Sequence, residues 1–126
     1  MSGARILYIE DNAENRLLVK RILEAQGHAV FEANDGTSGL AAARQVQPDL
    51  VLLDISLPEL DGYDLAARFQ EMDEMDGVPV VAITANVMKG DRERSLAAGC
   101  DAYIPKPIDI TRLPDQIEEA LQTARA

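Results

Sequence analysis

The stretch PDLVLLD, residues 48–54, is an apolar run that follows a proline and closes on a carboxylate. Consecutive large aliphatic residues, without alternating polar ones, are typical of a strand buried on both faces of a sheet. Such strands belong to parallel sheets covered by helices, in which functional groups gather at the carboxyl ends of the strands. Asp54, the last residue of the stretch, is therefore the first candidate functional residue.

Five short apolar runs, rich in β-branched residues, predict the strands of this sheet. In chain order they are Arg5–Ile9, Ala29–Ala33, Leu50–Leu53, Val80–Ile83 and Ala102–Ile104. The segments between them place apolar residues three or four positions apart, as in Leu113, Ile117 and Leu121, which predicts helices. Strands that alternate with helices imply a parallel sheet in a three-layer α/β fold, and this pattern leaves the strand order open.

The length and composition narrow the classes of protein that fit. The 126 residues match the size of one domain, so we expect a single domain over 1–126 without an output domain. A net charge of −10 disfavours nucleic acid and anionic membrane surfaces as partners. Cys100 is the single cysteine, and neither a signal peptide nor a membrane span is apparent, which together predict a cytoplasmic location.

Five polar or charged residues stand at or just after predicted strand ends: Glu10, Asp11, Asp54, Thr84 and Lys106. Because these ends share one edge of a parallel sheet, we expect the side chains to lie close together. Two carboxylates 4 Å apart would repel by roughly 4 kcal/mol at an effective dielectric constant of about 20, so a cation must offset the cluster. Mg²⁺ prefers oxygen ligands, and the predicted direct ligands are Asp11 and Asp54.

The same residues suit transfer of a phosphoryl group. The Asp54 carboxylate would be the oxygen nucleophile, while Lys106, Thr84 and the metal would stabilise the charge on the phosphoryl oxygens. We also expect the backbone N–H groups of Ile55 and Ala85 to donate to those oxygens.

Each of these residues also has an ordinary structural interpretation. Asn12 can cap the first helix, with Glu10 and Asp11 near the positive end of the helix dipole, and Lys106 can be a surface lysine. Taken singly, these interpretations are favoured. The presence of acids, a hydroxyl and a lysine at four separate strand ends favours a functional site.

The chain resembles the receiver domains of bacterial two-component response regulators over essentially its whole length. The segments that carry this resemblance are ILYIEDN (6–12), PDLVLLDISLP (48–58) with Asp61-Gly62, ITA (83–85) and GCDAYIPKP (99–107). The chain is similar both to single-domain regulators such as DivK and to the receivers of hybrid histidine kinases. This resemblance implies a flavodoxin-like (CheY-like) doubly wound sheet of five parallel strands flanked by five helices.

The resemblance also implies roles for individual residues. Asp54 is the phosphorylation site, Asp11 binds Mg²⁺ directly, Glu10 acts largely through water, and Ser56 offers its backbone carbonyl to the metal. Lys106 corresponds to the lysine that precedes a cis proline in the family.

Signalling in the family implies a conformational switch and protein partners. On phosphorylation Thr84 would move toward the phosphoryl group and Tyr103 would turn inward. The phosphoryl donor would be a histidine kinase or a phosphotransfer protein, and the output would be contact with a downstream signalling protein. We expect a monomer or weak dimer.

Other functions remain open. A phosphatase with an aspartate nucleophile would place a second acid where this chain has Ser56, so we expect a phosphoacceptor that assists its own phosphorylation and dephosphorylation and is no dedicated enzyme. A flavin carrier would need a hydroxyl-rich phosphate loop where Glu10 and Asp11 stand. The main alternative is an adaptor that binds proteins independently of phosphorylation.

Two further residues are predicted to be structural. His28 adjoins Gly27 at a predicted helix-to-strand joint, which favours a turn residue over a metal ligand or phosphorelay histidine. Cys100 has no basic neighbour in sequence that would lower the pKa of its thiol, so a small packing role is expected.

Overall fold

A computed structural model describes residues 3–55, 62–75, 77–84 and 100–125. The strands are β1 (Arg5–Ile9), β2 (Ala29–Ala33), β3 (Leu50–Asp54), β4 (Val80–Thr84) and β5 (Ala102–Pro105). The helices are α1 (Ala13–Ala25), α2 (Gly36–Val46), α3 (Gly62–Glu71) and α4 (Leu113–Arg125), with a short 3₁₀ helix at Asp73–Met75. The prediction of five helices is corrected to four for the described residues. The crossover from β4 to β5, residues 85–99, lies outside the described residues.

All five predicted strands are confirmed, and the last three each extend one residue further than predicted. Asp54 pairs with Ile83, and Thr84 pairs with Pro105, so the parallel ladders continue to these residues. The extension makes Asp54 and Thr84 the final residues of buried strands, which fixes their backbones at the carboxyl ends of the strands.

The five strands form one parallel sheet in the order β2-β1-β3-β4-β5. From β1 the chain moves outward to β2, and from β3 it moves outward in the opposite direction. The order therefore reverses between β1 and β3, and a crevice opens beside the carboxyl ends of these two strands.

Alternate strand residues face two separate apolar cores. Leu50 and Leu52 pack with residues of α1 and α4, whereas Val51 and Leu53 pack on the opposite face with residues of α2 and α3. A strand that is buried on both faces explains the uninterrupted apolar run in the sequence. Among the described residues, no helix has both the length and the apolarity needed to cross a membrane.

The start of α1 positions the chain that leaves β1. Asn12 is the N-cap, and its side-chain oxygen accepts the backbone N–H of Asn15 at 2.9 Å. The turn between the strand and the helix is only a few residues long, which keeps Glu10 and Asp11 at the rim of the crevice. The capping role of Asn12 and a functional role for its two acidic neighbours are therefore compatible.

Candidate functional site

Three carboxylates meet at the crevice between β1 and β3. Glu10 and Asp11 follow β1, Asp54 ends β3, and each offers an oxygen that lies within 4.8 Å of the other two. Glu10 and Asp54 are only 1% and 2% exposed, whereas Asp11 is open to solvent. We call Glu10, Asp11 and Asp54 the acidic cluster.

Lys106 supplies the positive charge that faces this cluster. Its ammonium Nζ donates to Asp54 Oδ2 at 2.9 Å and lies 3.8 Å from Glu10 Oε1. Its backbone N–H donates to the carbonyl of Thr84 at 2.7 Å, and the Lys106-Pro107 peptide bond is cis, as the family resemblance implied. Burial lowers the pKa of Lys106, but the hydrogen bond and charge of Asp54 outweigh this effect and raise it overall. Lys106 is therefore a cation at neutral pH.

One lysine does not neutralise three acids, and the imbalance is visible at Glu10. Burial, together with a hydrogen bond and the negative charge of Asp54, raises the pKa of Glu10 to about 7. The Asn12 N–H and the Lys106 charge act in the opposite direction and are weaker. The cluster thus favours either a proton or an additional cation.

The donor set fits a hard divalent cation. Three carboxylates present oxygen ligands at one rim, and the exposure of Asp11 leaves an approach from solvent. Mg²⁺ takes one or two carboxylates and keeps several waters, which suits a site that is partly buried and partly open. Ser56, the predicted source of a backbone carbonyl ligand, lies outside the described residues.

The remaining predicted residues are placed as follows. Thr84 is buried at the end of β4, on the rim that carries Lys106. Tyr103 is half-buried on β5 and packs against the core on the α2 and α3 side. The expectation for Ile55 is wrong, because its N–H donates to the carbonyl of Ile83 at 3.0 Å and so belongs to the sheet. Ala85, the other predicted donor, lies outside the described residues.

Two residues that contact Glu10 were missed by the sequence analysis. The Tyr8 hydroxyl donates to Glu10 Oε1 at 3.2 Å, and Arg16 Nη1 donates to the Glu10 carbonyl at 2.6 Å. A signal for Tyr8 existed, because a tyrosine two residues before an acid in a strand shares its face and needs a partner for its hydroxyl. Arg16 carries no comparable signal.

Comparison with known proteins gives similarities over most of the chain. The response regulator receiver domain family matches residues 6–118. The polar-differentiation response regulator DivK of Brucella anthropi is 40% identical over 119 residues, which cover 94% of this chain and 97% of that protein.

Solved structures of receiver domains are also similar. The receiver domain of sensor histidine kinase PA1611 from Pseudomonas aeruginosa, with a magnesium ion coordinated in its active site cleft, is 32% identical with a TM-score of 0.86. The similarity covers 96% of this chain and 99% of that one. A CheY-like receiver domain protein from Methanospirillum hungatei is 31% identical, covers 98% of each chain and has a TM-score of 0.89.

Proposed function

The chain belongs to the response regulator receiver domain family of two-component signalling, and we propose that it accepts a phosphoryl group on Asp54 in a Mg²⁺-dependent reaction. The observation that carries this proposal is the position of Asp54. It is a buried carboxylate at the end of a central strand, 2.9 Å from the Lys106 ammonium and within the acidic cluster. Its carboxylate is thus held beside a cation at the mouth of the crevice.

Asp11 and Asp54 would bind the metal directly, with Glu10 acting through water and Ser56 adding its carbonyl. When bound, Mg²⁺ would offset the repulsion within the cluster and the negative charge of the phosphoryl oxygens. The PA1611 receiver, whose printed description includes a magnesium ion in the active site cleft, supports this assignment by analogy.

The residues of this chain would then divide the work of phosphoryl transfer. An oxygen of Asp54 attacks phosphorus as the bond to the histidine nitrogen of a kinase or phosphotransfer protein breaks, and the histidine keeps that electron pair. Lys106 passes from the Asp54 carboxylate to a phosphoryl oxygen, and the Thr84 hydroxyl donates to another. The resulting acyl phosphate on Asp54 carries the signal until water hydrolyses it. The chain would thus act as a phosphoacceptor and not as a dedicated enzyme.

The output would be an altered contact with a downstream signalling protein. Tyr103 borders a cavity of about 400 Å³ between β5 and α4, lined also by Arg112 and Gln116. The family resemblance supports the proposed role of Tyr103 as a switch with Thr84, and this cavity lies beside its strand. The net charge of −10 favours protein partners over nucleic acid or membranes. We propose that the protein is a monomer or weak dimer and acts in the cytoplasm.

Intact mass measurement after incubation with acetyl phosphate tests the phosphoacceptor directly. We expect addition of one phosphoryl group to the wild type with Mg²⁺, no addition with EDTA, and none to Asp54→Asn. Asp49→Asn is a matched control, because Asp49 lies at the opposite end of β3, where it accepts the N–H of Arg5 at 2.8 Å. Addition to Asp54→Asn at the wild-type level would refute the assignment of the acceptor.

The adaptor alternative requires a different measurement. A downstream partner that binds the wild type and Asp54→Ala equally, with and without a phosphodonor, would favour phosphorylation-independent binding. We expect binding to change with phosphorylation in the wild type only.

A further inference from the structure

Tyr8 combines a fully buried ring with a hydroxyl that reaches the site. The ring belongs to the apolar core formed with α1 and α4, while the hydroxyl donates to Glu10 Oε1 at 3.2 Å. A buried phenol loses hydration of its hydroxyl and requires a hydrogen-bond partner. The partner here is a carboxylate of the acidic cluster.

Glu10 is held at all four of its hydrogen-bonding positions. Its N–H donates to the Ala33 carbonyl at 3.0 Å, and its carbonyl accepts from Arg16 at 2.6 Å. In the side chain, Oε1 accepts from Tyr8, and Oε2 accepts the N–H of Asn12 at 3.3 Å. The backbone contacts fix the position of the Glu10 main chain. The contacts with Tyr8 and Asn12, together with the hydrogen bond to Asp54, set the orientation of its carboxylate.

The contact with Tyr8 also affects Lys106. The same oxygen, Glu10 Oε1, accepts the Tyr8 hydroxyl and lies 3.8 Å from the Lys106 ammonium. That ammonium lies closer to Asp54, at 2.9 Å. Of these two groups the hydroxyl lies nearer to Glu10 Oε1, and without it this oxygen would attract Lys106 away from Asp54.

From these contacts we propose that Tyr8 is a positioning residue for the acidic cluster, which orients the Glu10 carboxylate for an outer contact with the cation and keeps Lys106 on Asp54. Tyr8 acts through Glu10 and touches neither the cation nor the phosphoryl group. The inference rests on the proposed Mg²⁺ site and adds a residue to it from the interior of the protein.

Tyr8→Phe removes only the hydroxyl, and Mg²⁺ titration followed by amide NMR shifts measures the consequence. We expect the dissociation constant for Mg²⁺ to rise roughly 10-fold, at the lower end of the range for residues that orient metal ligands, because the Glu10 carboxylate is proposed to contact the cation through water. In a Glu10→Gln background the same substitution should change the constant by less than about twofold, because the hydroxyl acts through the carboxylate.

Ile6→Val is the matched control, because Ile6 lies on the same strand and in the same core but has no contact with Glu10. It should lower stability without changing Mg²⁺ affinity. Equal Mg²⁺ affinity in Tyr8→Phe and the wild type would overturn the role of Tyr8 but not the proposed metal site. The same conclusion would follow if Tyr8→Phe changed Mg²⁺ affinity as much in the Glu10→Gln background as in the wild type. A wild type that does not bind Mg²⁺ would overturn both this role and the proposed metal site.

A measurement on the wild-type protein covers the case in which Tyr8→Phe does not fold. In protein labelled with fluorotyrosine, the fluorine NMR signal of Tyr8 can be assigned from the Tyr63→Phe and Tyr103→Phe proteins. We expect this signal to shift during Mg²⁺ titration with the same dissociation constant as the amide signal of Asp11. A Tyr8 signal that does not move at saturating Mg²⁺ would overturn the proposal.

Discussion

Asp54→Asn should stabilise the protein when Mg²⁺ is absent, although it removes the side chain on which the proposed function depends. The substitution removes one of the three charges of the acidic cluster and keeps an oxygen that can accept from Lys106. Its effect on the free energy of unfolding follows from the balance of attraction and repulsion around Asp54.

The distances allow a rough magnitude. At an effective dielectric constant of about 20, each like-charge contact, which is 4.8 Å or shorter, costs roughly 3.5 kcal/mol or more. The Lys106 contact at 2.9 Å contributes roughly 6 kcal/mol of attraction. The exposure of Asp11 weakens one repulsion, so these charge terms nearly cancel. Burial of the ionised Asp54 carboxylate then adds a desolvation penalty that asparagine largely avoids. We therefore expect Asp54→Asn to be more stable by on the order of 1 kcal/mol.

Urea unfolding at about pH 8, in EDTA and in Mg²⁺, measures this difference. Mg²⁺ at ten times its dissociation constant should stabilise the wild type by about 1.4 kcal/mol and the variant by less. The difference in free energy of unfolding between the two proteins should therefore become smaller or change sign. Asp49→Asn should differ from the wild type by the same amount in both solutions. An Asp54→Asn protein that is clearly less stable than the wild type in EDTA would refute the reasoning.

The remaining predictions concern pH and the cation. Burial and Asp54 raise the pKa of Glu10 to about 7, so between acidic pH and about pH 7 the folded state binds a proton that the unfolded state has lost. In EDTA, the stability contributed by this proton is present at acidic pH and is lost as pH rises to about 7. Urea unfolding across this range should show the loss in the wild type but not in Glu10→Gln, and identical profiles would contradict it. Lys106→Met should slow phosphorylation by acetyl phosphate at least about 100-fold, since it removes a charge from the phosphoryl oxygens. It should leave Mg²⁺ affinity unchanged or higher, because a competing cation is gone, and a parallel loss of both properties in mass and NMR measurements would argue against this division of roles.

The sequence predicted the strands and the composition of the site because both depend on local patterns. A buried parallel strand needs an unbroken apolar run, and polar residues that follow such runs must emerge at the rim of the sheet. This rule was sufficient to bring Glu10, Asp54, Thr84 and Lys106 to one edge. It required no knowledge of the strand order, which the pattern left open.

Contacts that depend on exact register were not predictable in this way. Ile55 was expected to donate to a phosphoryl group, but β3 continues its pairing with β4 and uses that N–H for the sheet. The predicted turn residue His28 is buried, and its Nδ1 accepts the N–H of Ala4 at 2.9 Å. Both outcomes depend on the neighbouring strand, which the local sequence does not specify.

The two ends of the sheet have opposite roles in the stability of the fold. At the amino ends of the strands, His28 accepts the N–H of Ala4, Asp49 accepts that of Arg5, and Asp101 accepts that of the first residue of β4 at 2.9 Å. Each of these contacts joins neighbouring strands and satisfies a backbone donor that precedes or begins a ladder. At the carboxyl ends, the acidic cluster brings like charges together and raises the pKa of Glu10. Because the strands are held at one end, the other end can retain this arrangement of like charges. Under the proposed function a cation or a phosphoryl group would rebalance these charges, and this end of the sheet would be the one that responds.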